Sequence, residues 1–131
     1  MNIYQEKLLD HYNNPKNFGE LVAPDVAIEL ENVSCGDSIK MQLIVKEGII
    51  EDIKFSGEGC AVAIGSASML TEYVKGKKLK ELANFTLDDL IDLLGIELTI
   101  SRIKCASLSL ETLNKCVEQC TKGTLDRNNI S

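Results

Sequence analysis

The sequence is short of positive charge: 14 Lys and Arg stand against 20 Asp and Glu, a formal net charge of −6 at pH 7. Phosphate backbones are held by clusters of Lys and Arg that displace counterions, so this balance argues against a nucleic-acid partner. Nor is there an apolar run approaching the roughly 20 residues of a membrane span. Met1 to Asp10 carries Gln5, Glu6 and Lys7 in an amphipathic pattern rather than the basic-then-apolar order of a secretory leader, and a cytoplasmic location is expected. Repeats, low-complexity tracts and Pro/Gly/Ser-rich linkers are missing, so residues 1–131 read as one domain, with the first few residues and 122–131 expected to be loose. Tryptophan is absent, and histidine occurs once, as His11, expected on the exposed side of a first helix. Cysteine is the exception. There are five, an odd number with no sign of export, which disfavours a disulfide framework and brings metal binding or thiol chemistry forward.

What is present is an ordinary globular composition, 44% hydrophobic and 26% charged over 131 residues, enough for a core without covalent staples. Ile3, Leu8, Leu9 and Tyr12 predict a short helix stopped by Asn13-Asn14-Pro15, and the segment from Asn17 to Asp25 reads as loop. A period of two follows. Val26, Ile28 and Leu30 form one alternating strand, Ile39, Met41, Leu43 and Val45 a second, and Ile49 to Ser56 a third, with Glu47-Gly48 as a tight reversal. Beyond Gly57 the period becomes helical. Ala63, Ala67, Leu70 and Val74 mark a helix closed by Gly76, Lys77 to Asn84 a short turn, and Thr86 caps a helix ending near Gly95. Ala106, Leu110, Leu113 and Val117 are the buried stripe of a last one. The expected fold is α+β: a three-stranded antiparallel sheet with helices packed on one face.

Three cysteines fall at ends of elements, where function concentrates. Cys35 lies in Ser34-Cys35-Gly36-Asp37 between the first two strands, Cys60 follows Gly57-Glu58-Gly59, and Cys105 follows Arg102-Ile103-Lys104. Read as helix N-termini, the Cys60 and Cys105 positions favour thiolate over thiol, with Lys104 and Arg102 adding positive charge. Asp37 is a candidate fourth donor, harder than thiolate and therefore more exchangeable. Three thiolates and a carboxylate around Zn²⁺ or an oxidised [2Fe–2S] core leave two negative charges over, which Lys104 and Arg102 are placed to offset. Cys116 lies eleven residues beyond Cys105, about 16 Å along a continuous helix, and Cys120 is farther, so both read as packing thiols. Ala61 to Ser68 reads as a helix face kept small for close packing. From chemistry alone the pattern supports a three-thiolate site and goes no further, since its spacing is not that of a zinc finger.

The ordered motifs are more specific than the spacing. Asp10-His11-Tyr12-Asn13-Asn14-Pro15-Lys16-Asn17, Cys35-Gly36-Asp37, Gly59-Cys60-Ala61-Val62-Ala63-Ile64-Gly65-Ser66-Ala67-Ser68, Val74-Lys75-Gly76-Lys77 and Arg102-Ile103-Lys104-Cys105-Ala106 follow in that order. From about Tyr4 to Val117 the chain resembles the IscU/NifU N-domain/SufU family of iron–sulfur cluster assembly scaffolds. The resemblance implies the same α+β scaffold fold (the IscU/NifU-N/SufE-like sandwich), with Cys35, Asp37, Cys60 and Cys105 as cluster ligands. It also implies a transient [2Fe–2S] cluster, or zinc in the same site, and a cysteine desulfurase that delivers persulfide sulfur to Cys35 or Cys105. Iron and electron donors and apo-protein acceptors would complete the set of partners. In IscU proteins a histidine precedes the third cysteine; here it is Lys104, as in SufU, where it would pair with Asp37 or support the Cys105 thiolate electrostatically. The insertion that SufU proteins carry between the second and third cysteines is lacking. The LPPVK segment that IscU proteins offer to an Hsp70-type chaperone corresponds to Leu98-Thr99-Ile100-Ser101-Arg102, without prolines, so that partner is not expected. Two functions follow from the resemblance: a scaffold for de novo [2Fe–2S] assembly, or a zinc-dependent sulfur acceptor that stimulates the desulfurase. A zinc-stabilised interaction module without chemistry is the third, plainer reading.

Overall fold

The alternation of Ile39, Met41 and Leu43 with Lys40 and Gln42 places the three apolar side chains on one face of a strand, and all three are fully buried. That strand is the middle of the sheet. In the computed structural model, which describes residues 2–130 with side chains through Thr121, β1 (Val26–Asn32), β2 (Asp37–Lys46) and β3 (Ile49–Glu58) form an antiparallel meander in the order β1-β2-β3. Register pairs Leu30 with Ile39, Met41 with Phe55 and Leu43 with Ile53, so apolar side chains meet across both ladders. Glu47 and Gly48, both at positive φ, make the β2–β3 reversal, the geometry that matches strand twist in a two-residue hairpin. As expected, the sheet is three-stranded, and the third strand runs two residues farther than its apolar pattern.

Helices cover the buried face. α2 (Ala61–Val74) crosses β3, and α5 (Ile100–Ile130) crosses β1 and β2. α2 is buried on nearly every side, between the sheet, α5 and α1 (Ile3–Asn13). Its small stripe is what permits this: a Cβ at Gly65 would sit 2.6 Å from Leu8 Cδ1 and 2.9 Å from the Leu8 carbonyl oxygen. α1 starts at Asn2, which accepts the Gln5 N–H at 2.8 Å while the Gln5 side chain accepts the Asn2 N–H at 3.2 Å, a reciprocal capping box. Short α3 (Leu79–Leu82) and α4 (Leu87–Leu94), the latter capped by Thr86 and ended by Gly95 at φ 71°, complete the layer. The ends expected to be loose, Met1 and the side chains of 122–131, lie outside the described residues. Among the described residues no helix is long and apolar enough to cross a membrane.

His11 corrects its expectation: it is buried, at 5% exposure, between α1 and α2. Leu8 and His11 are three apart and share the face of α1 that meets α2. The imidazole is satisfied there, with Nδ1 2.7 Å from Ser68 Oγ, which also accepts the Lys16 N–H at 2.7 Å. Burial lowers the His11 pKa, partly countered by Glu72, whose Oε1 lies 4.0 Å from Nε2. Asn17, at φ 58°, donates to Thr71 Oγ1 at 3.2 Å, so the loop after α1 is fastened to α2 at two points.

Candidate metal centre

Three junctions of the fold converge at one end of the sheet. The β1–β2 loop is closed by Asn32, whose carbonyl accepts the N–H groups of Cys35 (3.2 Å) and Gly36 (2.9 Å). The Asn32 amide donates to Cys35 Sγ at 3.5 Å and accepts from Ser34 Oγ at 2.8 Å. Asn32 thus orients an exposed Cys35, a role the sequence reading missed; an Asn three residues before a Cys-Gly turn was the available signal.

Asp37 opens β2 and is buried, at 3% exposure. Its Oδ1 accepts the Cys60 N–H at 3.2 Å, while Oδ2 has no hydrogen-bond partner among the described residues. Glycines make this approach possible. A Cβ at Gly59 would come within 2.6 Å of Asp37 Oδ1, and one at Gly57 would collide with the Ser38 carbonyl. The strand can therefore pass β2 and turn into α2 only with glycine on both sides of Glu58. Cys60 is the N-cap of α2, and its thiol makes no capping hydrogen bond, so the sulfur stays available.

The third junction departs from expectation. α5 begins at Ile100, with Thr99 accepting the Ile103 N–H through its carbonyl (2.9 Å) and the Arg102 N–H through its hydroxyl (3.4 Å). Cys105 therefore sits in the second helical turn and not at the helix entrance. It is 5% exposed and its Sγ donates to the Ser101 carbonyl at 3.6 Å. Burial pushes the Cys105 thiol well above the usual range, and interactions with the side chains of Cys60, Asp37 and Cys35 push it further. The expected helix start at Cys105 thus fails, and burial among these neighbours disfavours its thiolate.

The same early start redirects Lys104. Residues three or four apart share a helix face, so Ser101 and Arg102 face with Cys105, and Lys104 does not. Cys35, Asp37, Cys60, Ser101, Arg102 and Cys105 line one cavity of about 250 Å³. Lys104 instead lines a neighbouring cleft with Glu31 and Glu111, and no ion pair joins it to Asp37 among the described residues. Ligand atoms of Cys35, Asp37 and Cys105 lie within 4.8 Å of one another. Cys60 borders the same cavity outside that close trio. Cys116 is remote: fully buried, it donates to the Met41 carbonyl at 3.7 Å, and burial pushes its thiol up to about 12. Half-buried Cys120 packs against the core, as expected of a packing residue, with its thiol also raised by burial.

The donor set fits a thiophilic cation. Three sulfurs and one carboxylate are donors that zinc or the iron of a small cluster accepts, and the orphaned Oδ2 of Asp37 is a buried acceptor that such an ion would satisfy. Comparison with known proteins agrees with the motif order. The pattern described as NifU-like N terminal domain matches residues 3–125. The zinc-dependent sulfurtransferase SufU of Bacillus subtilis is 36% identical over 132 residues, spanning 88% of this chain and 89% of that protein. The iron–sulfur cluster assembly scaffold protein IscU of Escherichia coli is 39% identical over 118 residues, spanning 87% and 91%. The crystal structure of a NifU-like protein (N-terminal) from Brucella abortus superposes with a TM-score of 0.79 at 19% identity, over 92% of this chain and 95% of that one, and shares the fold.

Proposed function

The chain belongs to the NifU-like N-terminal domain family, and from that premise we propose that it is a scaffold on which [2Fe–2S] clusters are assembled and from which they are passed to apo-proteins. One observation carries this reading: among the described residues Asp37 Oδ2 is buried without a hydrogen-bond partner, on a carboxylate that lies within 4.8 Å of the Cys35 and Cys105 sulfurs. An unpartnered buried carboxylate is costly unless a cation compensates it. Cys35, Asp37, Cys60 and Cys105 are the proposed ligands of the cluster, which is cargo and must leave. Exposure of Cys35 and the harder carboxylate donor both favour departure.

A cysteine desulfurase is the proposed sulfur source, and Cys35 is the better placed acceptor, being exposed where Cys105 is buried. In that step the Cys35 thiolate attacks the outer sulfur of the donor persulfide. The donor S–S bond breaks, its inner sulfur leaves with the electron pair, and no oxidant is consumed. Ferrous iron and a reductant come from other partners.

The similarity to a zinc-dependent sulfurtransferase supports a second reading, in which zinc occupies the same four ligands and the chain only relays sulfur from the desulfurase. Anaerobic incubation with desulfurase, cysteine and ferrous iron separates the two. A [2Fe–2S] absorption spectrum that transfers to an apo-ferredoxin supports the scaffold. Retained zinc, no cluster and faster desulfurase turnover would replace it with the relay.

A further inference from the structure

Arg102 is the one basic residue lining the cavity of Cys35, Asp37, Cys60 and Cys105. It is exposed, and the ion pairs among the described residues all join other side chains, so its guanidinium is uncommitted. Its backbone is fixed by the Thr99 cap, and its i, i+3 relation to Cys105 aims it at the sulfurs. The chemistry proposed above needs a cation there. A thiolate at Cys35 and an incoming persulfide are both anionic, and the buried Asp37 carboxylate is close by, so approach is opposed by like charge.

We propose that Arg102 is the persulfide-binding residue of this site: its guanidinium receives the anionic outer sulfur of the donor and offsets its charge while Cys35 attacks. The inference rests on the sulfur-accepting reading of the chain and adds the residue that recognises the substrate. A guanidinium suits the task, since it is permanently charged and offers several N–H donors in one plane to a large, polarisable anion. Lys104, which borders the neighbouring cleft beside Glu31 and Glu111, has no part in it.

The test uses the full chain with two sulfur donors, glutathione persulfide and a desulfurase charged with cysteine, and counts persulfide on Cys35 by alkylation and mass spectrometry. Arg102→Gln is expected to slow transfer from both donors about tenfold, Arg102→Lys to restore most of it, and Lys104→Gln to leave it unchanged. The rate advantage of Arg102 over Gln should shrink as ionic strength rises. Arg102 is exposed, so Arg102→Gln should fold and melt as the parent does, and a slowed rate in a folded chain then reports on sulfur transfer. Equal rates for Arg102→Gln and the parent would overturn the proposal. So would an equal loss in Lys104→Gln, which would mean bulk charge. A loss confined to the desulfurase arm also overturns it, because Arg102 would then contact the partner protein and not the sulfur. A parent chain that accepts sulfur from neither donor would bring down the sulfur-accepting reading itself and this assignment with it.

Discussion

Replacing Asp37 by Asn should move two measurable quantities in opposite directions. The amide keeps the shape of the side chain and an oxygen to accept the Cys60 N–H, now 3.2 Å from Oδ1. What it removes is the charge, and in place of the orphaned Oδ2 it puts an amide nitrogen whose N–H groups can donate to the nearby Cys35 and Cys105 sulfurs. Leaving a buried acceptor unsatisfied costs about 1–3 kcal/mol, and more if the group is charged, while a hydrogen bond to a charged acceptor exceeds a neutral one by about 1 kcal/mol. The difference leaves Asp37→Asn more stable than the parent by about 1 kcal/mol in chelator, roughly 4 °C in melting temperature for a domain of this size. Metal should act the other way. Saturation at a hundredfold excess over the dissociation constant adds about 2.7 kcal/mol to the parent, and a tenfold weaker site loses about 1.4 kcal/mol of it. Thermal melts of both chains in EDTA and in a zinc buffer give all four numbers. If Asp37→Asn melts several degrees below the parent in EDTA, the carboxylate is part of the fold and the reasoning fails. It fails equally if zinc raises both proteins by the same amount.

Gly59→Ala should weaken zinc binding about tenfold or more, because its Cβ would come within 2.6 Å of Asp37 Oδ1 and displace the carboxylate; competition with a chromophoric chelator reads this. Cys116→Ser should leave metal stoichiometry untouched while costing roughly 1–2 kcal/mol in denaturant melts, since Cys116 is a buried packing residue whose thiol donates to the Met41 carbonyl. His11 sets a pH dependence. Its folded pKa is lowered below 6.5 by burial, so between those two values the unfolded chain binds the extra proton. Stability should be full above about pH 6.5 and fall as pH drops toward the lowered pKa; His11→Gln should flatten that slope in melts taken at closely spaced pH.

Much of the fold is written locally. The Ile39, Met41, Leu43 alternation and the Glu47-Gly48 reversal define the meander without reference to anything distant, and the Thr86 cap and Gly95 stop delimit α4 by backbone chemistry alone. The misread points depend on residues far apart in sequence. His11 looks like a surface residue until Ser68, 57 positions away, is found opposite it. The start of α5 is hidden because Leu98-Thr99-Ile100-Ser101 carries no helical apolar period, and with the helix entered at Cys105, Lys104 and Arg102 look equivalent. Once the Thr99 cap puts four residues of helix ahead of Lys104, only Arg102 faces the thiols. The four proposed ligands were legible as a set from their motifs. The orphaned oxygen of Asp37 was not, since it arises from burial against α2 and α5.

The proposed ligands come from three junctions separated by long stretches of chain: the β1–β2 loop, the β3–α2 turn and the second turn of α5. An ion or cluster bound to all of them acts as a reversible cross-link, closing loops of 25 residues between Cys35 and Cys60 and 45 between Cys60 and Cys105. Closing such loops removes conformational freedom from the unfolded chain and from partly opened states, by an amount that grows only slowly with their length. Loading would therefore favour the arrangement in which the three junctions stay together, and release would free them to open. A partner that binds the clasped form better than the slack one can tell a laden chain from a spent one without touching the cargo, and leaves as the cargo leaves.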